Sequence, residues 1–390
     1  MKIRSIRQLK NLTGKTVFLR VDFNVPIIRG KIKEDYKIKV GLASLNFLVA
    51  QGARVIIATH LGEPTKPSVA YSVRPIAVRL RQLLKHPVKF IPAVSGSLVE
   101  SATRKMKPGE VIMLENLRFA AGEYTNDLKL AAAFAASADI YVNDAFAVCH
   151  RNQASLSAIK KYLPAYAGLL LEQELSALER VLKPKKPLVV IIGGAKIQTK
   201  VSLIARLYPA ASQILLGGAL VNNFFKFKKL EIGRSLSDLD SLGEVKKFFK
   251  RGRLDSKIIL PLDVVIKNKQ GQAKVVRPDG VKKTDAILDI GPATIAAYAV
   301  YIKKAQTLIW NGPLGKFEEA SFKNGTLMIA RLLAARSSGR AYGVVGGGET
   351  VEALKLTKMT EYVDWVSTAG GAMLAYLGGA PLPGLSQIIK

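Results

Sequence analysis

The sequence predicts an α/β protein made of two doubly wound parallel-sheet (Rossmann-like) domains that are joined by a hinge helix. Three observations predict this class. Short Val- and Ile-rich runs alternate with segments of helical period, the chain contains two such series, and its 390 residues suit two domains. Continuous apolar strands, as opposed to alternating ones, are typical of parallel sheets that helices cover on both faces.

Strands are predicted wherever a short apolar run is bounded by turn residues. The first series comprises strands at Thr16–Val21, 53–58, Val111–Leu114 and 140–142, with a helix at 41–51. The second series comprises strands at Leu188–Ile192, Gln213–Leu216, 257–260, 307–310 and 341–345. Parallel sheets of this kind bind ligands at the carboxyl ends of their strands, so the residues that follow each strand are the candidate site.

One amphipathic helix, Leu169–Leu182, separates the two series, and a basic, proline-bounded stretch follows it at 183–187. We therefore predict a first domain at 1–172 and a second domain at 173–372. The C-terminal segment, 373–390, is expected to return toward the first domain. A helix that joins two sheets in this way could transmit motion between the two domains.

The net charge is strongly positive. Lys and Arg number 59 and Asp and Glu number 29, which gives +30 at pH 7. Such an excess suits nucleic acid, an anionic membrane surface or phosphorylated small ligands. Because the basic residues are scattered and aromatic residues make up only 7% of the chain, the composition favours a generally basic surface over a dedicated nucleic-acid site. We expect no specific nucleic acid and no membrane among the partners.

The single cysteine, Cys149, excludes an intramolecular disulfide framework and a Cys-rich zinc site. The basic first ten residues have no apolar stretch after them, and no apolar run approaches the ~20 residues that span a bilayer, so we predict a cytoplasmic protein. Cys149 beside His150 could suggest a thiol nucleophile. Adjacent residues in an extended segment point to opposite faces, however, which argues against that pairing.

Each of four successive strands in the first half is followed by a polar or cationic side chain. These are, in order, Asp22 with Asn24, His60, Arg118, and the pair His150 and Arg151. Parallel strands bring their carboxyl ends to one edge of a sheet. The sequence therefore predicts an anion pocket there, in which Asp22 and Asn24 are available to bind hydroxyl groups.

Glycine-rich segments mark the second half. The segment 193–200 follows a strand and opens a helix, and it places Lys196 and Lys200 one helical turn apart. It is not a Walker A loop, because that spacing occurs nowhere in the chain. The segments 346–350 and 367–371 also precede helices, which suggests a cradle for a polyphosphate together with a metal-binding acid.

Together and in this order, these motifs resemble the phosphoglycerate kinase family along essentially the whole chain. The most specific pieces are 20–26, 115–119, 141–146, 193–196 and 310–315. The resemblance implies the phosphoglycerate kinase fold, with 3-phosphoglycerate or 1,3-bisphosphoglycerate bound by the first domain and Mg-ADP or Mg-ATP by the second. It also implies an enzyme of glycolysis and gluconeogenesis that is a monomer. Its two domains would close about a hinge to align the two ligands for phosphoryl transfer.

The resemblance also implies roles for individual residues. The glycerate ligand would be held by Asp22, Phe23, Asn24, Lys37, His60, Leu61, Gly62, Glu63, Arg118, His150 and Arg151. The nucleotide would be held by Gly194, Ala195, Lys200, Gly217, Gly291, Asn311, Gly312, Pro313, Glu318, Gly347, Gly348, Glu349 and Thr350. Glu349 would bind Mg²⁺, and the transfer itself would involve Lys37, Lys196, Lys200, Gly370 and Gly371.

Several positions depart from the family pattern. Lys37 and Glu63 stand where arginines are expected, Gln153 replaces a histidine, Thr199 an acid, Glu349 an aspartate and Ala369 a glycine. Glu349 keeps its charge and is expected to keep the metal. Lys37 loses the planar fork of arginine, and a loss of ~2–3 kcal/mol in the transition state would slow the reaction roughly a hundredfold.

The departures leave alternatives open. The chain is an active, if slow, phosphoglycerate kinase, or it is a degenerate member that binds nucleotide with weak or altered transferase activity. The third hypothesis is a basic binding protein that uses the fold as a scaffold for nucleic acid.

Overall fold

The computed structural model describes residues 2–238, 242–250 and 253–389, apart from the side chains at 199, 250 and 253. The chain divides into two compact units. The first unit is Met1–Ser176 with Pro381–Lys390, and the second is Ala177–Ala380. The division falls inside the helix Leu169–Leu182, whose bounds coincide with those predicted from the sequence.

The first unit is built on a parallel sheet. Its strands are β1 (Thr16–Val21), β2 (Ile27–Ile28), β3 (Lys31–Ile32), β4 (Arg54–Ala58), β5 (Val88–Ile91), β6 (Val111–Leu114), β7 (Ile140–Asp144) and β8 (Ala165–Ala167). Its helices are α1 (Tyr36–Ala50), α2 (Arg74–Leu84), α3 (Ser97–Arg104), α4 (Ala121–Tyr124), α5 (Leu128–Ala135) and the beginning of α6 (Leu169–Leu182).

Six of these strands form one sheet in the order β5-β6-β4-β1-β7-β8. Every residue of β1, β6 and β7 is buried, as continuous apolar strands covered on both faces require. The parallel pairing of β1 with β4 and β7 brings the residues that follow them to one edge. The residues predicted to form an anion pocket follow the strands at that edge.

Helix α1 begins five residues before the position that the sequence predicted. Gly41, the first residue of the predicted helix, lies within α1 and faces the Phe23 ring. A Cβ there would stand 2.6 Å from Phe23 Cε1, so glycine permits close packing and does not mark a helix boundary. Lys37 therefore lies in the first turn of α1.

The second unit has the same architecture with an added sheet. Its strands are β9 (Leu188–Ile192), β10 (Gln213–Leu216), β11 (Phe249–Lys250), β12 (Arg253–Leu254), β13 (Ile258–Ile259), β14 (Val264–Lys267), β15 (Ala273–Val276), β16 (Ala286–Ile290), β17 (Thr307–Asn311), β18 (Tyr342–Gly346) and β19 (Trp365–Ser367). Its helices are α7 (Gln198–Leu207), α8 (Leu220–Phe227), α9 (Leu242–Lys246), α10 (Pro292–Lys304), α11 (Asn324–Ser337), α12 (Gly348–Leu356) and α13 (Gly370–Leu377).

The main sheet of this unit is parallel and runs in the order β13-β10-β9-β17-β18-β19. The predicted fold class, two doubly wound parallel sheets, is thereby confirmed. A separate antiparallel sheet, β15-β14-β16, was not predicted. Residues of β14 alternate between buried and half-buried, and β15 is largely exposed, a pattern typical of an antiparallel sheet with one solvated face and unlike that of strands buried on both faces. Among the described helices, none is long and apolar enough to cross a membrane.

Candidate active site

The edge of the first sheet carries the carboxylate of Asp22, which forms an ion pair with Lys37. Asp22, directly after β1, accepts a hydrogen bond from Lys37 Nζ at 2.8 Å and another from the backbone N–H of Asn24 at 3.2 Å. Burial acts to raise the pKa of Asp22, but the nearby Lys37 ammonium and these hydrogen bonds lower it overall. Asn24 turns its Oδ1 to the Gly62 amide at 3.0 Å, which ties the turn after β1 to the loop after β4.

His60 follows β4 and is buried. Its Nδ1 lies 3.3 Å from Arg20 Nη2, and because a guanidinium has only donors, Nδ1 must accept and Nε2 must carry the proton. Burial and the Arg20 charge hold the pKa of His60 well below its usual value. The neutral ring therefore directs an Nε2–H toward Asp22 Oδ1, 4.0 Å away.

Arg20 was not singled out by sequence reasoning, because it lies inside an apolar strand. It is fully buried, and its Nε donates to Ser155 Oγ at 2.9 Å. The Ser155 hydroxyl in turn donates to Glu123 at 2.6 Å. A cation at the fifth residue of a strand that is otherwise apolar was the signal that could have identified it.

Two arginines meet on one carboxylate oxygen. Arg118 Nη1 lies 3.0 Å and Arg151 Nη2 lies 2.9 Å from Glu63 Oε1. The Tyr124 hydroxyl donates to Glu63 Oε2 at 3.2 Å, and Arg118 stacks over the Tyr124 ring. Arg118 also donates to the Gly62 carbonyl. Arg118, Arg151 and Glu63 are thus brought together as one cluster.

The remaining predicted residues of the first unit fall into two groups. Phe23 and Leu61 are buried in the core, so they offer the site their backbone and not their side chains. His150 is exposed over much of its surface. Partial burial of its ring and the charge of Arg151 both lower its pKa. Cys149 is buried, and burial raises the pKa of its thiol to about 12, which excludes a thiolate nucleophile at neutral pH.

The second unit builds its site from backbone. The loops after β9 and β17 are joined by hydrogen bonds from the Gly193 amide to the Asn311 carbonyl at 3.0 Å and from the Gly194 amide to the Pro313 carbonyl at 2.7 Å. A Cβ on Gly193 would overlap the Pro313 carbonyl oxygen. Gly312 has a positive φ of 91°, a conformation that favours glycine.

Lys200 is the buried cation of this unit. It lies in α7, and its Nζ donates to Asn311 Oδ1. Burial lowers the pKa of Lys200 to about 8, against the opposing effect of the Glu349 charge. Asn311 Nδ2 donates to the Gly346 carbonyl at 2.6 Å, and the Gly312 amide donates to Thr350 Oγ1 at 2.7 Å. These contacts connect the carboxyl ends of β17 and β18 to the beginning of α12.

A cavity of about 290 Å³ opens beside these loops. Among the predicted residues, Gly194, Ala195, Pro313, Glu318 and Glu349 line it. The sequence did not point to several further lining residues, which include Arg234, Ser235 and Leu236. These three lie in an irregular segment before α9 that carries no strand-end signal, so only the tertiary structure brings them to the cavity.

Other predicted residues lie around the cavity without lining it. Gly217 packs against the Leu314 side chain, and Gly291 against Asp263. Gly347 and Gly348 form the beginning of α12, and Gly370 and Gly371 the beginning of α13. Lys196 is exposed in the loop before α7. Thr199 lies in α7, but its side chain falls outside the described part of the chain.

Glu349 is the candidate metal ligand. It is an exposed carboxylate in the first turn of α12 and lines the cavity. The described residues contain no group of three or more His, Cys, Asp or Glu side chains that could hold a metal alone. A single carboxylate beside a phosphate site fits Mg²⁺, which binds through one or two carboxylates together with substrate phosphates.

Comparison with known proteins agrees with this architecture. The sequence model of the family described as phosphoglycerate kinase matches residues 6–380. The chain is 40% identical to the phosphoglycerate kinase of Fervidobacterium nodosum, over 97% of this chain and 96% of the relative. It is 39% identical to the phosphoglycerate kinase of Thermomicrobium roseum over the full length of both.

Solved structures give the same result. The phosphoglycerate kinase of Coxiella burnetii matches with a TM-score of 0.87 and 36% identity, over 99% of both chains. The phosphoglycerate kinase of Pyrococcus horikoshii OT3 matches with a TM-score of 0.84 and 30% identity, over 99% of this chain and 98% of that one.

Proposed function

The chain belongs to the phosphoglycerate kinase family, and we propose that the residues described above carry out the family's reaction, a phosphoryl transfer with a carboxyl-group acceptor. The reaction interconverts 1,3-bisphosphoglycerate and ADP with 3-phosphoglycerate and ATP. The comparisons give no support to the alternative of a degenerate, nucleotide-binding member.

The single observation that carries the assignment of the acceptor site is the cluster of Arg118, Arg151 and Glu63. Two guanidinium groups approach one carboxylate oxygen at 3.0 and 2.9 Å. They are therefore placed to share one anionic oxygen. The anionic groups of a phosphorylated glycerate offer such oxygens, and bidentate guanidinium contacts are well suited to them.

In the proposed acceptor site, Arg118 and Arg151 bind an anionic group of the glycerate ligand. The neutral His60 ring donates a hydrogen bond from Nε2 to the glycerate ligand. Asp22 accepts from the glycerate hydroxyl while Lys37 holds its carboxylate in place. Positioning of this kind is the main contribution a protein makes to phosphoryl transfer, which needs no covalent nucleophile.

In the proposed nucleotide site, ADP or ATP occupies the cavity bounded by the glycine-rich loops. The glycines let backbone amides approach phosphate oxygens, and the amino ends of α12 and α13 favour negative charge. Lys200 and Lys196 neutralise charge on the transferred phosphoryl group. An anion next to Lys200 would raise its pKa above about 8 and keep it protonated.

Glu349 would hold Mg²⁺ against the nucleotide phosphates. When bound, the metal offsets charge on the phosphate oxygens. We further propose a cytoplasmic monomer in which a hinge between the two units aligns the ligands, because in-line transfer requires both ligands together and water excluded.

A coupled assay with 3-phosphoglycerate and Mg-ATP tests the proposal. The parent should turn over, and Lys200→Ala should lower kcat roughly a hundredfold and weaken ADP binding, because it removes the buried cation. The affinity for 3-phosphoglycerate, measured by calorimetry, should stay nearly unchanged. Lys303→Ala, an exposed lysine of the same unit, is the control. Equal losses for both ligands would contradict the assignment of Lys200 to the nucleotide.

A further inference from the structure

Glu63 is an acidic side chain that contacts both of the arginines to which the proposed function assigns anion binding. Its carboxylate contacts Arg118 and Arg151 through the same oxygen, and its other oxygen accepts from the Tyr124 hydroxyl. In the family pattern this position is expected to be an arginine. The substitution therefore reverses a charge where the proposed substrate binds.

The cluster is asymmetric in its burial. The Arg118 side chain is 1% exposed and that of Arg151 is 37% exposed, while the Glu63 side chain is 56% exposed. Glu63 thus reaches the arginines from the solvent side. Its carboxylate can leave toward water without unpacking the core, whereas Arg118 is fixed by its contacts with Gly62 and the Tyr124 ring.

Arg118 retains unused hydrogen-bonding capacity. Its Nε and Nη2 are buried and have no hydrogen-bond partner among the residues that the structure describes. Glu63 therefore satisfies only one nitrogen of this guanidinium. Buried donors without a partner are costly, so an anion that reached either nitrogen would gain a hydrogen bond that Glu63 does not accept.

Glu63 also stays ionised at neutral pH. Partial burial acts to raise its pKa, but the hydrogen bond from Arg151 and the charge of Arg118 lower it overall. Its negative charge is therefore present at neutral pH.

We propose that Glu63 is a tethered competitor for the acceptor site, whose carboxylate occupies the anion position between Arg118 and Arg151 and must be displaced by the anionic group of the substrate. This inference rests on the proposed function, since it takes 3-phosphoglycerate as the displacing ligand. It assigns Glu63 to substrate affinity and not to the chemical step. Because the Glu63 side chain is 56% exposed and that of Arg151 is 37% exposed, the displacement costs little, and we expect an effect on affinity of roughly five- to tenfold.

The competing interpretation is that Glu63 serves the site by orienting both arginines. The two interpretations predict opposite signs. Glu63→Gln keeps the size of the side chain and removes its charge. If Glu63 competes, the variant should lower the KM for 3-phosphoglycerate and tighten inhibition by inorganic sulfate. If Glu63 orients the arginines, the variant should raise that KM and weaken the inhibition.

The experiment measures both constants at fixed ionic strength in the parent, in Glu63→Gln and in Glu100→Gln. Glu100 is the matched control, since it is a partly exposed glutamate of the same unit that pairs with Arg104 at 3.6 Å and lies outside the site. We expect the KM for 3-phosphoglycerate to fall roughly five- to tenfold in Glu63→Gln alone, with the KM for ATP unchanged and kcat within about twofold.

An unchanged or higher KM for 3-phosphoglycerate in Glu63→Gln, with normal turnover, would overturn the inference and leave the proposed function intact. If neither the parent nor the variant turns over 3-phosphoglycerate, the proposed function fails. Calorimetry of sulfate binding then tests separately whether Glu63 competes with an anion. Tighter sulfate binding by Glu63→Gln than by the parent supports the inference, and equal or weaker binding overturns it.

Discussion

The two proposed ligand sites present their hydrogen-bonding groups in different ways. In the first unit, charged side chains converge, and their charges are already paired within the protein, as in Lys37 with Asp22 and Arg151 with Glu63. In the second unit, glycine-rich loops pack backbone against backbone. The difference teaches that the two sites should tolerate different kinds of substitution. A charge change should act on function in the first, and an added methyl group should act on structure in the second.

The largest effect should come from adding a methyl group in the second unit. In Gly312→Ala the new Cβ would overlap the Gly193 carbonyl, and φ at this position is +91°. Neither backbone segment can rotate away as a side chain can. We expect the free energy of unfolding to fall by about 4 kcal/mol, measured by urea denaturation.

Two further glycines sharpen this comparison. Gly62→Ala in the first unit also has a positive φ, but its Cβ would meet the Tyr71 ring, which is 38% exposed and able to move. We expect it to cost about half as much as Gly312→Ala. Gly348→Ala meets no atom within 4 Å and should change stability by less than about 1 kcal/mol. Equal losses in all three variants would show that crowding by backbone is not the cause.

Lys160 and Lys200 extend the comparison to buried cations. Lys160 Nζ donates to the Pro383 carbonyl at 2.6 Å and to Ser386 Oγ at 2.7 Å, so it anchors the C-terminal segment within the first unit. Burial lowers the pKa of both lysines to about 8. Lys200 lies beside the nucleotide loops, whereas Lys160 has partners that are wholly structural.

This structural role predicts a pH dependence. Between pH 8 and about 10.4, the unfolded lysine binds its proton more tightly than folded Lys160 does, so the stability of the parent should rise with pH. Lys160→Met removes that contribution. The difference in unfolding free energy between parent and variant should widen by about 2 kcal/mol from pH 8 to 10. The exposed neighbour Lys161→Met is the control, and a difference that does not change with pH would contradict the assignment.

Apart from Gly348→Ala, the smallest expected effect is a gain of activity in the first site. Lys37 Nζ donates to Asp22 at 2.8 Å from the first turn of α1. Arginine there could keep this contact and add donors for the charge that develops on the transferred group. Lys37→Arg should raise kcat roughly tenfold, equivalent to about 1.4 kcal/mol, with a smaller change in KM.

The control for this prediction lies two residues along the same helix. Lys39→Arg alters an exposed lysine that pairs with Asp35 at 2.9 Å, and it should leave kcat unchanged. A lower kcat in Lys37→Arg, with Lys39→Arg normal, would show that the ammonium group suits this site better than a guanidinium does.

Much of this molecule followed from the sequence. Thr16–Val21, Val111–Leu114 and Leu188–Ile192 have the bounds that their apolar runs predicted, because strands buried on both faces must be apolar throughout. Strand β14 is only partly buried and β15 is largely exposed, so a rule based on strands that are buried on both faces does not identify them. Arg234 and Leu236 were missed at the cavity because they lie in an irregular segment that only the tertiary structure brings there.

The sequence by itself determined the two parallel sheets, the polar residues at their strand ends and the resemblance to one enzyme family. Each of these depends on local composition and order. Only the tertiary structure decided that Arg20 polarises His60 and that Glu63 occupies the space between Arg118 and Arg151. Those contacts join residues 40 to 88 positions apart, and their geometry is fixed by side-chain packing and by the need to pair buried charge.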